Sequence, residues 1–230
     1  MPRLILIETS TALCSTALAE DGEIVAYRES TTPRSHASLT ALFIQEMLEE
    51  RGIRAAACDA VCVSMGPGSY TGLRVGVSSA KGLCFGAGLP LIGIGTLDVL
   101  AAQAQRDGVI PEGCRYIVPL IDARRMEVYA AVFTPDGRQL TPTAPAVIDG
   151  GSFRAQLAEG PVLFIGDGAV KCRAVLSAPT AHFQPGCPRA DAMLAPALRA
   201  FEAGEFRDTA YFEPFYLKQF VATVSAKKLF

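Results

Sequence analysis

The chain has 230 residues, with 21 lysines and arginines against 23 acidic residues and a formal net charge of −2. Half of the residues are hydrophobic and 19% are charged, a composition typical of a globular protein with a packed core. No apolar run reaches the roughly 20 residues that span a bilayer, and no secretory signal precedes the first predicted strand. We therefore expect a cytoplasmic protein without membrane contact. A net acidic chain favours at most an indirect role with nucleic acid.

The first half of the chain is predicted to alternate strands and helices. Strands are expected at residues 4–7, 15–19, 23–27, 60–64 and 89–94, and helices at residues 36–51, 72–87 and 96–106. Asp21-Gly22 separates the second and third strands, and such a pair supplies the positive φ of a tight hairpin. The first strand ends at Glu8.

The second half repeats this order. A strand at residues 116–121 ends at Asp122, a strand at 127–133 follows, and Asp136-Gly137 turns the chain again. The distance from acid to turn is 13 residues in the first copy (8 to 21) and 14 in the second (122 to 136). A strand at 161–165 and a helix at 190–203 complete the pattern. It predicts an internal duplication of a β-β-β-α-β-α unit and an α/β fold with two lobes.

The predicted domains are an N-terminal lobe at residues 1–107, a second lobe at 108–213 and a C-terminal tail at 214–230. The boundary lies in a linker that holds Gly108, Pro111 and Gly113. Residues 218–230 of this tail are either a docking segment or a frayed end, and the sequence leaves both readings open.

Two lobes with an acid after each first strand resemble the ATP-binding fold of sugar kinases, Hsp70 and actin, which is RNase H-like. In that fold an acid followed closely by glycine binds phosphate and Mg²⁺, because a residue without Cβ lets backbone N–H groups close on the phosphate. The turns at residues 8–11 and 122–125 contain no glycine. Glu8, Asp122, Gly166 and Gly168 are therefore only weak candidates for nucleotide contacts, and Gly166-Asp167-Gly168 is more typical of a simple turn.

The loop that starts at Gly66 also departs from known catalytic motifs. Thr71 stands where the Walker A and Rossmann patterns require glycine, and Ser69 lacks the flanking glycines of a nucleophile elbow. The two histidines exclude multi-histidine metal sites. We predict no catalytic residue and no metal ligand.

The helix after this loop carries small residues at helical spacing, beginning with the GxxxG of Gly72 and Gly76. Each glycine costs roughly 1 kcal/mol of helix propensity, which is tolerated where another backbone approaches closely. The stripe packs either on the chain's own sheet or on another subunit, and we take the second reading as the hypothesis to test. The predicted partner interface is Gly72, Leu73, Arg74, Gly76, Val77, Ser79, Ala80 and Leu83.

Three stretches resemble the TsaB (YeaZ) family: residues 66–76 with 80–83 and 90–93, residues 121–129, and residues 214–217. Residues 66–76 read GPGSYTGLRVG, a long motif that is specific to this family. The resemblance spans nearly the whole chain. Two departures are mild, since Glu8 stands where aspartate is usual and Arg125-Met126 where many members have Met-Gly. The resemblance implies cleft residues Glu8, Ser10, Asp122, Arg124 and Glu127.

The resemblance also implies a non-catalytic scaffold, a subunit rather than an enzyme by itself. Its partners would be the catalytic paralogue TsaD, which installs threonylcarbamoyl on the adenosine next to the anticodon of tRNAs reading ANN codons, and the ATPase TsaE. Without the paralogue the chain would form a homodimer, and tRNA would be contacted indirectly. A nucleotide is expected, if anywhere, at the heterodimer interface. Thr96 and Leu100 stand at the places of the paralogue's two metal-binding histidines, so no metal site is expected.

Two other functions are compatible with the same fold. One is an ATP-dependent phosphotransferase, which the turns without glycine disfavour. The other is a glycoprotease-like peptidase, which the two replaced histidines disfavour.

Overall fold

The structure is a computed structural model that describes residues 1–217. The predicted tail function of residues 218–230 lies outside the described part. Six helices are present in the described residues: α1 (His36–Glu50), α2 (Tyr70–Ala87), α3 (Thr96–Arg106), α4 (Arg154–Glu159), α5 (Ala169–Cys172) and α6 (Leu194–Glu202). The strands are β1 (Leu4–Glu8), β2 (Cys14–Glu20), β3 (Glu23–Ser30), β4 (Ala60–Gly66), β5 (Leu91–Gly95), β6 (Tyr116–Asp122), β7 (Glu127–Ala130), β8 (Ala144–Val147), β9 (Val162–Ile165) and β10 (Ala181–Gln184). None of the described helices has the length and apolar character needed to cross a bilayer.

Sheet A consists of β1–β5 in the order β3-β2-β1-β4-β5. β1 pairs antiparallel with β2 and parallel with β4, so it is the central strand, and all five of its residues are buried. Asp21 and Gly22 both have positive φ and join β2 to β3 with Glu20 opposite Glu23, as the hairpin prediction requires.

Sheet B consists of β6–β10 and repeats this topology. Its order is β10-β9-β6-β7-β8, in which β6 pairs antiparallel with β7 and parallel with β9, as β1 does with β2 and β4. The predicted α/β fold with two duplicated lobes, of the sugar kinase, Hsp70 and actin type, is therefore confirmed.

The second copy differs from its prediction in detail. The strand predicted at 127–133 ends at Ala130, and Phe133 instead forms isolated bridges with Ile117 and Gln139. Asp136-Gly137 does turn the chain, with Gly137 at φ 88°, but the third strand begins only at Ala144. The helix predicted at 190–203 starts as a 3-10 turn at Ala190–Met193 and continues as α6.

Helices cover both faces of sheet A. One face packs against α1 and α2, through Met47 and Val77 among others. The other face packs against Val99 of α3 and against Ala197 and Ala200 of α6. The opposite side of α3 packs on sheet B through Leu97, Leu100, Ala101 and Ala104, so α3 lies between the two sheets.

Helix α6 and the 3-10 turn before it fall within the predicted second lobe of residues 108–213. These residues, 190–202, nevertheless pack on sheet A, although they follow the strands of sheet B in the chain. Gln103 of α3 holds the crossing segment, because its side chain donates to the Cys187 carbonyl at 3.1 Å and accepts from the Arg189 N–H at 3.0 Å. The guanidinium of Arg189 forms two hydrogen bonds with Asp107 at 2.7 and 3.0 Å. The last helix of the second copy is thus tied to the first lobe.

Residues 207–217, which we call the strap, run along the β5 side of α2. Arg207 donates its N–H to the Leu91 carbonyl at 2.8 Å, and Phe215 donates to the Met65 carbonyl at 2.7 Å. Lys81 of α2 donates to the carbonyls of Ala210 and Phe212 at 3.0 and 3.1 Å. The strap is therefore part of the first lobe.

Candidate cleft and partner interface

The turn after β1 is buried beneath the start of α2. Glu8 has no exposed surface, and its Oε1 accepts the Ser10 N–H at 2.7 Å. Its Oε2 has no hydrogen-bond partner among the described residues, and the same holds for the hydroxyls of Ser10 and Thr11. Burial raises the pKa of Glu8. A carboxyl in this position is inaccessible to a substrate or a metal ion from solvent.

The loop from Gly66 to Ser69 is closed against this turn. Ser69 donates its N–H to the Ser10 carbonyl at 2.7 Å, and its hydroxyl caps α2 by accepting the Gly72 N–H at 3.3 Å. A Cβ at Gly68 would overlap the Ser10 carbonyl. Two N–H groups at this helix start, those of Ser69 and Gly72, therefore already have acceptors inside the chain, where other proteins direct such groups at phosphate.

The equivalent turn of the second lobe is open. Asp122 is exposed, and its Oδ1 lies 2.6 Å from the Lys171 ammonium and accepts the Arg124 N–H at 2.6 Å. Partial burial opposes ionisation of Asp122, but the Lys171 and Arg124 contacts outweigh it and lower the pKa. Lys171 also donates to the Glu127 carbonyl at 2.6 Å. The predicted cleft residues Asp122, Arg124 and Glu127 are thus neighbours, while Glu8 and Ser10 form a separate buried pair.

The glycines of Gly166-Asp167-Gly168 are explained by packing on β6. Gly166 has φ 125°, and a Cβ there would overlap the Leu120 carbonyl; a Cβ at Gly168 would lie 3.0 Å from the same oxygen. Asp167 accepts the Asp122 N–H at 2.9 Å, and burial raises its pKa. The turn follows β9 as the Gly66 loop follows β4, so the two are equivalent positions of the duplication.

Thr96 and Leu100, which stand where the paralogue would have its two metal-binding histidines, are both buried. Thr96 has no exposed surface, and its hydroxyl lies 2.8 Å from that of Ser64. Leu100 is buried between α3 and sheet B. Among residues 1–217 no three His, Cys, Asp or Glu side chains are grouped closely enough to hold a metal ion.

The predicted interface face of α2 packs inside the chain. A Cβ at Gly72 would overlap the Thr9 carbonyl, and one at Gly76 would overlap the Thr9 hydroxyl, which donates to the Gly72 carbonyl at 2.9 Å. Five of the eight predicted interface residues are buried, namely Gly72, Leu73, Gly76, Val77 and Ala80. Their assignment to a partner interface is corrected: this stripe serves the close approach of α2 to β1. Of the others, Arg74 is exposed and Ser79 and Leu83 are half-buried.

A second small-residue face of α2 points away from the chain. Ser78, Gly82 and Gly86 are exposed at a spacing of four, and nothing lies within 4 Å of a Cβ at either glycine. Phe85 beside them is 89% exposed. We call Ser78, Gly82, Phe85 and Gly86 the outer face. The sequence signal for this face is a second GxxxG at residues 82–86, which lies within the predicted helix of residues 72–87.

An apolar groove adjoins the outer face. It lies between α1 and α2, has a volume of about 390 Å³, and is lined by Ala41, Ile44 and Leu48 of α1 and by Ser79 and Leu83 of α2. Two of the predicted interface residues thus line a groove that is open to solvent.

The family model described as "TsaD: tRNA N6-adenosine threonylcarbamoyltransferase" matches residues 28–174. The "tRNA threonylcarbamoyladenosine biosynthesis protein TsaB" of Escherichia coli (strain K12) is 38% identical over 134 residues, which cover 58% of this chain and 56% of that protein. The matched segment spans about half the length of the curated relatives reported first.

Among solved structures, "YeaZ from Pseudomonas aeruginosa" has a TM-score of 0.79 and 26% identity, covering 94% of this chain and all of that one. The "Activator of the 2-Hydroxyisocaproyl-CoA Dehydratase from Clostridium difficile with bound ADPNP" has a TM-score of 0.50 and 11% identity, covering 88% and 96%. The second likeness shows the fold alone.

The two faces of α2 give a matched pair of glycine substitutions. Gly72→Ala should lower the free energy of unfolding by about 2 kcal/mol, because the new methyl group overlaps a backbone carbonyl that cannot rotate away. Gly82→Ala should raise it by about 0.5–1 kcal/mol, because alanine favours the helix and meets only open space. Urea unfolding of both variants measures the difference. Changes of the same sign would contradict the assignment of inner and outer faces.

Glu8→Gln should stabilise the protein at neutral pH, because Glu8 is fully buried and glutamine removes the charge that burial opposes. The folded-state pKa of Glu8 is raised, so ionisation opposes folding, and stability falls as the pH rises from the ordinary value of 4.5 through the folded value. Glutamine cannot ionise, and the advantage should vanish below pH 4.5. Unfolding free energies of both proteins across this range test the sign; a destabilised variant at neutral pH would contradict it.

The GPGSYTGLRVG segment, the duplicated two-lobe fold and the matched relatives agree: the chain belongs to the TsaD family of tRNA N6-adenosine threonylcarbamoyltransferases, within its TsaB (YeaZ) branch.

Proposed function

We propose that this chain is a non-catalytic subunit in the biosynthesis of threonylcarbamoyladenosine on tRNA and acts in the cytoplasm. It dimerises with the catalytic paralogue, TsaD, which carries out the transfer next to the anticodon of tRNAs reading ANN codons. The support comes from the name of its E. coli relative, "tRNA threonylcarbamoyladenosine biosynthesis protein TsaB", and from the family model of the transferase.

The exposed outer face of α2 is the observation that best supports a partner-binding role. Among residues 1–217 nothing lies within 4 Å of a Cβ placed at Gly82 or Gly86, yet each glycine costs roughly 1 kcal/mol of helix propensity. Because these glycines have no side chains, the backbone of a second helix can approach α2 closely at this face. Phe85 then supplies the kind of aromatic anchor that dominates many interfaces, and the groove beside it receives the apolar side chains of the partner.

The same surface provides a homodimer contact when the paralogue is absent. An exposed apolar face on a helix is covered in solution by whichever complementary face is available. The homodimer and the heterodimer therefore exclude each other. TsaE joins the heterodimer, and a nucleotide contact, where one is made, belongs to the joint interface.

A non-catalytic role agrees with the chemistry of the two turns. Glu8 is buried beneath α2, and the Ser69 N–H of the Gly66 loop already has an acceptor in the Ser10 carbonyl. The alternatives of an ATP-dependent phosphotransferase and a glycoprotease-like peptidase both need an acid or a metal ligand that faces the substrate, and the exposed acid of the second turn, Asp122, is paired with Lys171.

Depletion of the chain in a bacterium that carries it should lower threonylcarbamoyladenosine in bulk tRNA, measured by mass spectrometry of nucleosides. Wild-type protein should restore the level, and Gly82→Leu should not, because its side chain projects from the outer face into the space of the partner. In purified form Gly82→Leu should bind the paralogue about 30-fold more weakly, the equivalent of losing one 2 kcal/mol hot spot.

The matched control is Ala158→Leu, which places the same side chain on the exposed surface of α4 in the other lobe. It should restore the modification and bind the paralogue like wild type. An unchanged level of threonylcarbamoyladenosine after depletion would overturn the function. Normal paralogue binding by Gly82→Leu would overturn the interface alone.

A further inference from the structure

The strap leaves most of its aromatic side chains exposed. Phe212 packs against the core on the α1 and α2 face of sheet A, whereas Tyr211 is 83% exposed, Phe215 43% and Tyr216 37%. Lys81 holds the backbone beside Tyr211 through its two hydrogen bonds to strap carbonyls. A fixed backbone that presents aromatic side chains to solvent can bind a partner with little further ordering.

These side chains lie next to the outer face of α2. Arg74, Lys81 and Phe85 are spaced by seven and four residues, so they lie along one side of the helix. Lys81 binds the strap, and Phe85 belongs to the outer face and is 89% exposed. The outer face therefore has the groove on one side and the strap on the other.

The strap and the start of α2 together have the composition of a protein interface. The Tyr216 and Tyr70 rings are 4.9 Å apart, and the guanidinium carbon of Arg74 lies 4.5 Å from the centre of the Tyr70 ring. Tyrosine, phenylalanine and arginine are enriched in protein interfaces, and tyrosine and arginine are also frequent among the residues that dominate binding. The cluster therefore fits a protein partner.

The size of the surface agrees with this interpretation. A standard interface takes about 20–30 residues from each side. The outer face has four residues, and ten residues line the groove beside it. The strap contributes eleven more and brings the surface to the standard size. A partner that covers the outer face and the groove therefore reaches the strap as well.

The match to the transferase family indicates which partner the strap contacts. That match covers residues 28–174, which include α1 and α2 and exclude the strap. The paralogue of the proposed function therefore shares the elements that form the outer face and the groove. Contacts between such helix pairs are alike in the homodimer and the heterodimer and give little preference for either. A preference for the heterodimer needs an element outside the shared residues, and the strap is such an element beside the interface.

We propose that the strap binds the catalytic paralogue, contributes little to the homodimer and so favours the heterodimer. Tyr211 is its anchor, because it is the most exposed aromatic side chain of the strap, and it enters an apolar depression on the paralogue. The strap carries one basic residue against two acids, so basic side chains at the edge of that depression complement it. The inference rests on the proposed function, which supplies the paralogue, and it adds the element that selects the paralogue over a second copy.

The test compares the two dimers. Isothermal titration calorimetry measures binding of the full chain to the purified paralogue, and sedimentation equilibrium measures the homodimer. Tyr211→Ala should weaken paralogue binding about 5- to 30-fold, the range for truncating an important interface side chain, and should leave the homodimer within about twofold of wild type. Tyr211→Phe keeps the ring, and Val147→Ala truncates an exposed side chain on β8 of the other lobe. Both should leave both dimers within about twofold of wild type.

Two results would overturn the inference: Tyr211→Ala that binds the paralogue as tightly as wild type, or equal weakening of both dimers by this substitution. Gly82→Leu, measured alongside, separates failure of the inference from failure of the proposed function. If Gly82→Leu weakens paralogue binding and Tyr211→Ala does not, the proposed interface stands and the strap has no part in it. If wild type does not bind the paralogue, the proposed function fails and the inference fails with it.

Discussion

The close approach of α2 to the end of β1 is the constraint on which most of this structure depends. Gly72 and Gly76 let the helix backbone contact Thr9, and a methyl group at either position would overlap that residue. The contact buries the turn that holds Glu8 and Ser10, and the Ser69 N–H of the loop before α2 donates to the Ser10 carbonyl. It also fixes the rotation of the helix, so that Ser78, Gly82, Phe85 and Gly86 face outward.

This constraint explains how two copies of one unit came to differ. In the first lobe the helices are long and the acid after the first strand is buried, with its pKa raised. In the second lobe α4 and α5 are short, and the corresponding Asp122 is exposed and paired with Lys171. The first lobe therefore combines a closed turn with the exposed outer face of α2, and the second lobe has an open turn.

The sequence was sufficient to predict the duplication, because acids and Asp-Gly turns recur at nearly the same spacing and strand periodicity is a local signal. It was also sufficient for most element positions of sheet A. The orientation of α2 was not predictable, because the helix has two small-residue faces and periodicity alone does not say which one packs on the sheet. The contact of α6 with sheet A was equally hidden, since it depends on the crossing segment that Gln103 and Arg189 hold.

Other features of the site depend on tertiary contacts that leave no motif. No sequence pattern indicates Lys171, because its contacts follow from the pairing of β6 with β7 beside α5. The ring contact between Tyr70 and Tyr216 likewise joins residues far apart in the chain, through the strap. The resemblance of residues 214–217 to a family motif indicated that this segment mattered without indicating what it contacts.

The central claim is that this chain activates a catalytic partner and performs no transfer itself. The most direct measurement is the initial rate of threonylcarbamoyl transfer to tRNA in a purified system that contains the paralogue, with and without this chain. The account predicts no transfer by the chain alone and a rate increase of about tenfold or more when it is added, equivalent to roughly 1.4 kcal/mol of the barrier. Transfer by the chain alone, or a paralogue rate that its addition leaves unchanged, would contradict the account.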